Sequence, residues 1–533
     1  MRFLLLVLPL ALVLAALPGC DAGFSGDPNA NRPPETELSV RVTDLRETIG
    51  GTLESTVAIS WAGTDPDGFV AAYELRYYDA SRLGQVGPEE GWVRTTRRDT
   101  TILLPIPPGE DNAAVVVEVR AEDNDGARDA TPARTVFPIR NAPPTFRLIQ
   151  AEVPPDTTWP VFSFAWAAAD PEGPTNLAAI EVAFNDTTAF TRLPADADFA
   201  TFVAVDPRAG GTTEARVFLG RSFQSTQIFV PGLRLDADNV VYLRAVDQTD
   251  TTSATVRYPA EGDPFFVRRV TSDVLLVNDF RASADVFVLP VARTALARYG
   301  TTTYDTWDLS ETPQTSQNPQ YSEPIPVNAD PTLRHTLALW DAIYWVSNTA
   351  TNRIRGNNLP LAASVMDLFF SRGGRLMAMV PVTLPLSGSE EENEGNAALN
   401  VLPLRDLITL PVGSTNLRIR SDEPVVPDQP VPGTGQPLPP LRTTQIVTGA
   451  LPYEIGADDV PLYRAQFYDP RTNQNWTGSN VVASMSQDRR VGLFALPAVN
   501  TTTGALLLAP PPGGTADLYD ALARMLAGLD FPH

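Results

Sequence analysis

The pattern of apolar and polar positions differs between the two parts of the chain that meet near residue 270. Before that point, short segments alternate apolar with polar residues, for example at 56–61, 72–78 and 115–120. A period of two, with turn residues between the segments, is typical of strands that bury one face. The first part of the chain therefore predicts β-sandwich domains, in which two such sheets pack together.

Three landmarks of this alternating part occur twice. They are a tryptophan followed by an Asp-Pro turn, an Arg-Ala-x-Asp strand and an Asn-x-Pro-Pro junction. They lie at Trp61 with 65–68, at 120–123 and at 31–34 in the first copy, and at Trp166 with 170–173, at 244–247 and at 141–144 in the second. Two copies predict tandem modules. The second copy is longer, and the extra residues over 196–221 predict a loop insertion.

The landmarks also resemble a known family of modules. Trp61 on an early strand, a Tyr-Glu-Leu-Arg-Tyr strand at 73–77 and a late Val-Glu-Val-Arg-Ala strand at 117–121 resemble fibronectin type III or similar immunoglobulin-like domains. The resemblance implies an antiparallel β-sandwich for each copy.

Beyond residue 270 the pattern changes to continuous apolar runs at 273–279, 342–347 and 375–380, as expected of strands buried on both faces. Helical spacing follows the first run up to Gly300 and recurs at about 361–370. Strands at 481–485 and 491–496 and an amphipathic helix over 516–529 close the chain. Alternating strands and helices predict an α/β domain with a mainly parallel sheet.

Within this part, Val-Leu-Leu-Val-Asn-Asp at 274–279, Tyr-Asp-Thr-Trp-Asp at 304–308 and Gly-Gly-Arg-Leu-Met at 373–377 resemble C-terminal domains of bacterial envelope proteins. Those domains have a glutamine amidotransferase-like or flavodoxin-like fold. Their enzymes need a nucleophile on a strand-to-helix turn and a histidine. Here no cysteine or G-x-S-x-G is available, and His335 is expected on a helix surface. The resemblance implies the scaffold without its reaction.

The first twenty residues carry an export signal. Arg2 precedes an apolar run from Phe3 to Leu17, which is shorter than the about 20 residues that a spanning helix needs. Leu17-Pro18-Gly19-Cys20, with the only cysteine of the chain, resembles the lipobox of bacterial lipoproteins. The resemblance implies cleavage before Cys20 and its modification by acyl chains such as palmitate. The alternative is a plain secretory signal that happens to end in cysteine.

These patterns divide the chain into a signal peptide, a lipid-anchored tether, two β-sandwiches and an α/β domain with two solvated loops. The respective boundaries are 1–19, 20–34, 35–142, 143–270 and 271–533, with the acidic loop at 386–398 and the proline-rich loop at 421–440.

Charge narrows the range of partners. The formal net charge of -23 and the pI near 4.5 argue against nucleic acid and against anionic lipid surfaces, because both would repel the protein. With Cys20 carrying lipid, no disulfide forms, and the domains are expected to be held by their cores alone. The expected partners are a membrane, through the lipid, and a protein or glycan of the envelope.

The first candidate site is a ligand crevice. In open parallel sheets, ligands bind beyond the carboxyl ends of the strands, which here would bring together Asn278, Asp279, Ser347 and Asn348. The alternative is that these polar residues only end strands and begin turns. No glycine-rich phosphate loop follows the first strand, so nucleotide and flavin cofactors are not expected.

The second candidate site is a calcium-binding pole of the first sandwich. Its carboxylates would come from two turns and comprise Asp65, Asp67, Asp123, Asp125 and Asp129. Ca²⁺ takes six to eight oxygen ligands and often uses Asp-x-Asp-Gly geometry. The alternative is an ordinary turn, in which aspartate bonds its own backbone. Calcium is the only cofactor that the sequence suggests.

Together these observations predict a non-catalytic lipoprotein of the cell envelope, periplasmic or surface-facing, that displays a binding head on sandwich spacers. One alternative is a hydrolase of envelope carbohydrates or peptides, with Asp279 and Asp308 as acid and base. Another is a structural subunit of an envelope complex.

Replacing Cys20 with serine is expected to prevent lipidation, because serine lacks the thiol that receives the lipid. Cells grown with radioactive palmitate should label the wild-type protein, which should sediment with membranes, whereas Cys20→Ser should stay unlabelled. An unlabelled wild type, together with a variant that sediments as the wild type does, would contradict the lipid anchor.

Overall fold

The computed structural model describes residues 30–40, 53–54, 56–104, 110, 112–171, 173–280, 285–309, 325–348, 358–383, 397–410 and 412–533. The predicted signal peptide, residues 20–29 of the predicted tether with Cys20, and residues 386–396 of the predicted acidic loop lie outside the described residues. The chain divides into two compact units, Met1–Ala142 and Pro143–His533. No helix among the described residues is long and apolar enough to span a bilayer.

The described part of the first unit consists of mainly antiparallel strands and one short 3-10 turn at Ala80–Arg82. The strands are β1 (Glu35–Val40), β2 (Leu53–Glu54), β3 (Thr56–Thr64), β4 (Val70–Asp79), β5 (Val93–Thr95), β6 (Asp99–Leu103), β7 (Asn112–Asp123) and β8 (Ala133–Arg140). Among the described residues they form a sheet in the order β1-β3-β6 and a second in the order β2-β8-β7-β4-β5, in which β2 alone pairs in parallel.

Side chains from both sheets meet in one core. Ile59 and Trp61 of β3 pack in the same buried cluster as Val117 and Val119 of β7. The alternation that these strands show in sequence places every second residue between the sheets. Trp61 meets Tyr73 edge-on, with 6.2 Å between the ring centroids. The predicted β-sandwich architecture is confirmed for this unit.

On the outer face of the larger sheet, arginine and glutamate side chains form a row of ion pairs. The fully buried Glu118 carboxylate accepts a hydrogen bond of 2.7 Å from Arg76. The neighbouring Arg120 donates to Glu74 at 2.6 Å. The indole of Trp92 covers both guanidinium groups, with centroid distances of 4.2 Å to Arg76 and 4.3 Å to Arg120. The ring attracts both cations and removes water from the pairs.

The second unit begins with another set of sheets. Its strands are β9 (Thr145–Leu148), β10 (Thr157–Thr158), β11 (Val161–Ala169), β12 (Leu177–Phe184), β13 (Thr191–Pro194), β14 (Phe199–Ala204), β15 (Thr212–Leu219), β16 (Gln224–Arg234), β17 (Ala237–Asp238), β18 (Val241–Asp247), β19 (Val256–Tyr258) and β20 (Phe266–Val267). Short 3-10 turns lie at Gln150–Glu152 and Pro174–Asn176. The described strands pair in the orders β16-β15-β14-β11-β9, β13-β12-β18-β19 and β10-β20-β17.

The repeat seen in the sequence extends to the ion pairs. Glu181 of β12 lies opposite Arg244 of β18, which donates to it at 2.7 Å. The Phe190 ring covers Arg244, with 4.1 Å between its centroid and the guanidinium carbon. In the first unit Glu74 and Arg120 are opposite in the same way. The Arg-Ala-x-Asp landmark therefore marks a covered cross-strand ion pair in both sandwiches.

The predicted loop insertion over 196–221 is wrong. These residues contain the whole of β14 and β15, which pair antiparallel and extend the sheet beside β11. Phe199, Ala200 and Phe202 of β14 are buried. These buried side chains show that the segment is a hairpin of the sheet and not an exposed loop. The longer second copy therefore contains additional strands.

The remainder of the second unit combines a large sheet with short helices. The helices are α1 (Asp285–Tyr299), α2 (Arg334–Leu337), α3 (Leu359–Ala363), α4 (Asp367–Ser371), α5 (Ala397–Val401) and α6 (Leu518–Leu529), and a π turn lies at Ala329–Leu333. The strands are β21 (Val274–Asp279), β22 (Asp305–Asp308), β23 (Ala342–Ser347), β24 (Arg375–Met379), β25 (Asp406–Leu407), β26 (Arg418–Ile419), β27 (Pro424–Pro427), β28 (Leu441–Thr443), β29 (Tyr453–Glu454), β30 (Asp459–Ala465), β31 (Phe467–Tyr468), β32 (Val481–Ser486), β33 (Val491–Phe494) and β34 (Leu508–Ala509).

The large sheet is mixed. Strands β22, β21, β23, β24 and β33 pair in this order and in parallel. From β33 onward the pairing is antiparallel, through β32, β30, β27, β28 and β34. Leu276 packs with residues of α1 and α6 in one core, and Leu275 packs with residues of α3 and α4 in another. Helices thus cover both faces of the parallel half.

Two local predictions for this part are wrong. The helix predicted at about 361–370 is divided into α3 and α4 by a turn. The proline-rich stretch 421–440, expected as a solvated loop, contributes β27, whose Val425 is fully buried and pairs with β28 and β30. Its prolines stand at the ends of that strand, where a missing N–H disturbs the ladder least.

A cluster of aromatic and charged side chains joins the second sandwich to the large sheet. Trp159 of the sandwich is 2% exposed and belongs to the core that covers one face of the sheet. Its ring lies edge-on to Trp340, with centroids 4.7 Å apart, and the Arg268 guanidinium carbon lies 4.0 Å from it. Trp340 donates to Asp305 at 2.9 Å. This shared core makes the second sandwich part of the same compact unit as the sheet.

His335 of α2 belongs to the same junction. Its imidazole stacks on Phe223 at a centroid distance of 3.5 Å, and Phe223 stacks on Phe218 of β15. Burial lowers the pKa of His335 to about 4, and the nearby charges of Arg372 and Arg334 lower it as well. His335 is therefore a neutral stacking residue near neutral pH.

This neutral imidazole is expected to make stability depend on pH. The unfolded chain, with its ordinary histidine pKa of 6.5, binds the proton more tightly than the folded state does. The free energy of unfolding should fall as pH is lowered from 6.5 towards 4, while above 6.5 this group has no effect. Thermal unfolding at pH 7 and pH 5 should show a larger loss of midpoint for the wild type than for His335→Gln. Equal losses would contradict this role.

Candidate functional site

A cavity of about 420 Å³ lies at the carboxyl ends of the parallel strands. Residues that follow β21, β23, β24 and β33 line it, together with α1 and the segment around 446–449. Its size falls within the range of small-molecule sites, and its position is where open α/β sheets bind ligands. The lining residues are Phe280, Val288, Ser347, Asn348, Met379, Pro381, Ile446, Thr448, Gly449, Leu496, Pro497, Ala498, Val499, Asn500, Thr501, Thr502 and Leu507.

The cavity combines apolar walls with hydroxyl and amide groups. Among the described residues that line it, none is ionisable. Threonines 448, 501 and 502 are exposed. Their hydroxyls make no hydrogen bond to another described residue, so they are available to a ligand. Because each hydroxyl both donates and accepts, the site can bond neutral polar groups of either kind.

A turn after β33 positions the polar wall. Asn500 accepts hydrogen bonds from the backbone N–H of Thr502 at 2.9 Å and of Thr503 at 3.1 Å. Its amide nitrogen donates to Gln445 at 3.1 Å and so ties the turn to the segment opposite. Gly504 ends the turn with φ +72°, and a side chain there would collide with Phe287. Both walls are thus held by the same asparagine.

The structure divides the predicted crevice residues. Ser347 and Asn348 line the cavity, whereas Asn278 and Asp279 are fully buried outside its lining. The Asp279 carboxylate accepts hydrogen bonds from the Asn358 backbone at 2.8 Å and side chain at 2.7 Å, and from Trp345 at 3.2 Å. It therefore fastens the start of α3 to the end of β21.

Asp279 and Asp308 do not converge. Asn278, which donates to Asp308 at 3.1 Å, follows Leu276 on one face of the sheet. Asp279 follows Val277 on the opposite face, because successive side chains of a strand alternate. An acid and a base must reach one substrate, and these two carboxylates point to different sides.

Neither histidine lines the cavity. His335 stacks on Phe223, as described above, and the His533 ring stacks on Tyr299 at 4.5 Å. The described lining therefore contains no imidazole for proton transfer.

At the predicted calcium pole, most aspartates cap turns. Asp123 accepts from the backbone of Asp125 and of Ala127 at 2.9 Å each, and from the Asn31 side chain at 2.7 Å. Desolvation raises the pKa of Asp123, but these bonds outweigh it and hold that pKa below its ordinary value. Asp129 accepts from the backbone of Thr36 at 2.8 Å.

The remaining aspartates of the pole differ. Asp67 accepts from the backbone of Arg32 at 3.0 Å, and Asp125 is exposed. Both Asp65 oxygens are buried and receive no hydrogen bond of good geometry from the described residues. Burial raises the pKa of Asp65, and the carboxylates of Asp67 and Asp123 raise it further. Two further negative groups therefore lie around one poorly solvated carboxylate.

No three Asp, Glu, His or Cys side chains among the described residues are grouped so as to hold a metal ion. In the second sandwich, Asp247 accepts from the backbone of Thr249 at 2.8 Å and of Thr251 at 2.9 Å, as Asp123 does in the first. Calcium binding at the pole stays a prediction.

Sequence reasoning missed the walls formed by 446–449 and 496–502. The first wall lies between short strands, and the sequence there has no periodicity of apolar residues that would predict them. The second had a signal, because Asn500-Thr501-Thr502-Thr503-Gly504 is a turn sequence directly after a predicted strand, in the place where a parallel sheet binds ligands.

Replacing Asp65 with asparagine is expected to raise the thermal midpoint at pH 7 in the presence of a chelator. The raised pKa means that stability is lost as the carboxylate ionises above pH 3.8, and asparagine removes that charge. Asp125→Asn, at an exposed position, should leave the midpoint unchanged.

The same pair of proteins tests calcium. If the pole binds Ca²⁺, added calcium should raise the wild-type midpoint and leave Asp65→Asn unaffected. Identical wild-type midpoints in calcium and in chelator reject the metal.

No protein-family model matches the chain, and no curated protein matches it. Solved structures with similarity include fibronectin(III)-like modules of CbhA from Clostridium thermocellum, at 13% identity and TM-score 0.14, covering 42% of this chain and 91% of that one. An α-L-rhamnosidase of Streptomyces avermitilis, complexed with L-rhamnose, shows 14% identity and TM-score 0.15, covering 43% of this chain and 24% of that one. Trypsin-activated α-2-macroglobulin from Escherichia coli shows 13% identity and TM-score 0.15, covering 45% of this chain and 18% of that one. The chain spans a quarter or less of the last two structures.

Proposed function

We propose that this protein is a lipid-anchored protein of the cell envelope that binds a ligand without transforming it. The observation that carries the proposal is the cavity at the carboxyl ends of the parallel strands, whose described lining residues carry no charge. It offers a volume, apolar contact and neutral hydrogen-bonding groups, which are the requirements of a binding site.

The placement of ionisable groups supports binding over hydrolysis. General acid–base catalysis needs a titratable group within reach of the proton that it moves. The described lining contains none, and Asp279 is held by Asn358 and Trp345 outside it. A hydrolase with Asp279 and Asp308 as its pair is the less supported alternative.

The proposal also assigns each of the three domains to a known fold family. The two sandwiches would be fibronectin type III or immunoglobulin-like modules, and the last part an amidotransferase-like α/β domain that lacks the catalytic residues. The parallel pairing of β22, β21, β23, β24 and β33, with helices on both faces, supports the second assignment. Arg-Ala-x-Asp strands with the same covered ion pair support the first.

The proposed spacer is smaller than the sequence suggests. Trp159 packs in the core of the large sheet, so the second sandwich and the cavity-bearing domain form a single head. Along the chain, the first sandwich stands between that head and the proposed lipid-anchored tether. Cys20 would supply the anchor, since two or three acyl chains hold a protein stably at a bilayer.

Blocking the cavity is expected to abolish binding without affecting the fold. Thr448 is exposed at the cavity, so Thr448→Trp adds an indole there and disturbs no core residue. Purified full-length protein should retain envelope-derived molecules that the variant does not, and mass spectrometry should recover them chemically unchanged. The matched control is Thr415→Trp, at an exposed threonine outside the lining, which should bind as the wild type does.

Two results would overturn the proposal. Equal retention by the wild type and Thr448→Trp would show that the cavity is not the site. Recovery of cleaved products, lost in Asp279→Asn or Asp308→Asn, would favour the hydrolase.

A further inference from the structure

The chemistry of the cavity also restricts what it binds; this step rests on the proposed binding function. We infer that the ligand is an uncharged carbohydrate, whose hydroxyls bond Thr448, Thr501 and Thr502 while its C–H faces contact the apolar walls.

Charged ligands are disfavoured first. An ion taken from water into a protein site needs a counter-charge or several hydrogen bonds to offset its desolvation. The described lining supplies no charged side chain of either sign. The whole chain, at a formal net charge of -23, also repels anions. Phosphorylated, carboxylated and sulfated molecules therefore fit poorly.

Purely apolar ligands are disfavoured by the polar wall. Threonines 448, 501 and 502 are exposed to water, and no described residue bonds their hydroxyls. A lipid chain filling the cavity would strip that water and leave the hydroxyls unsatisfied, at a cost for each group. A polyhydroxylated ligand replaces the water bond for bond.

Extended peptides are disfavoured by the strand pairing. A peptide that adds to a sheet needs an unpaired strand edge. The floor is formed by the ends of β21, β23, β24 and β33, each of which has a paired strand on both sides. No edge of these strands is open to a new one, so the floor offers side chains and strand ends only.

The apolar walls suit the carbon faces of a sugar. Phe280, Val288 and Leu507 line the cavity and are at most 7% exposed, so they are fixed by the core behind them. Ile446, which is 49% exposed, extends the apolar surface outwards from the lining. A pyranose ring presents C–H groups on one side and hydroxyls around its rim, and this cavity presents the complementary surfaces together.

Calorimetric titration of the full-length protein tests the inference with defined probes. Uncharged di- and trisaccharides of glucose, galactose, rhamnose and N-acetylglucosamine would be compared with glucuronate-containing disaccharides, a fatty acid and neutral tripeptides. At least one neutral saccharide should bind, and its uronic-acid counterpart should bind at least tenfold more weakly. Thr448→Trp should abolish binding, while Thr415→Trp should leave it unchanged.

Hydroxyl deletion adds a sharper readout. Thr501→Val and Thr502→Val keep the shape of exposed side chains and remove one hydroxyl each, so each should weaken saccharide binding about three- to tenfold. Unchanged far-ultraviolet circular dichroism and thermal midpoints would show that the variants fold.

The outcomes separate the two proposals. If no neutral saccharide binds but the fatty acid, a tripeptide or a uronate does, and Thr448→Trp prevents it, the carbohydrate inference is overturned and the binding function stands. If no probe binds and the wild type retains no envelope molecule that Thr448→Trp lacks, both are overturned.

Discussion

The burial of Trp159 against Trp340 is the contact on which the architecture of the second unit depends. The Trp159 indole does not belong to the core of its own sandwich. It lies in the same buried cluster as Leu275 and Val277 of β21. Truncating such a buried tryptophan typically costs about 3–5 kcal/mol. Arg268, which stacks on the indole and donates to the Thr306 carbonyl at 2.7 Å, extends the contact to the neighbouring strand. Sandwich and sheet therefore share one core.

This arrangement leaves the carboxyl edge of the sheet for the site. The junction with the sandwich covers the face that carries Leu275, and α1 and α6 cover the face that carries Leu276. The cavity lies at the strand ends, and the polar residues there either line it or fasten a helix, although Asp279 and Ser347 are paired in register and share one face of the sheet. Ser347 lines the cavity, whereas Asp279 anchors Asn358.

The spacing of apolar residues predicted the strands that are buried along their whole length and the helix that buries one face. The strand at 342–347 is found with those bounds, and the closing helix begins two residues after its predicted start, capped by Asp517. The sequence pattern did not predict β27, where prolines flank the buried Val425. It also did not predict β14, which contains Phe199 and lies in the insertion. The site was predicted in part, because the sequence shows which residues end strands but not that Asn500 brings two distant segments together.

The covered ion pairs of both sandwiches have a consequence for the environments that the protein tolerates. Dissolved salt weakens attractions between charges only where its ions can approach them. Glu118 is fully buried, and aromatic rings lie over Arg76, Arg120 and Arg244. Mobile ions therefore approach these bonds less closely than they approach exposed ion pairs, and brine should weaken the covered pairs less than the exposed ones.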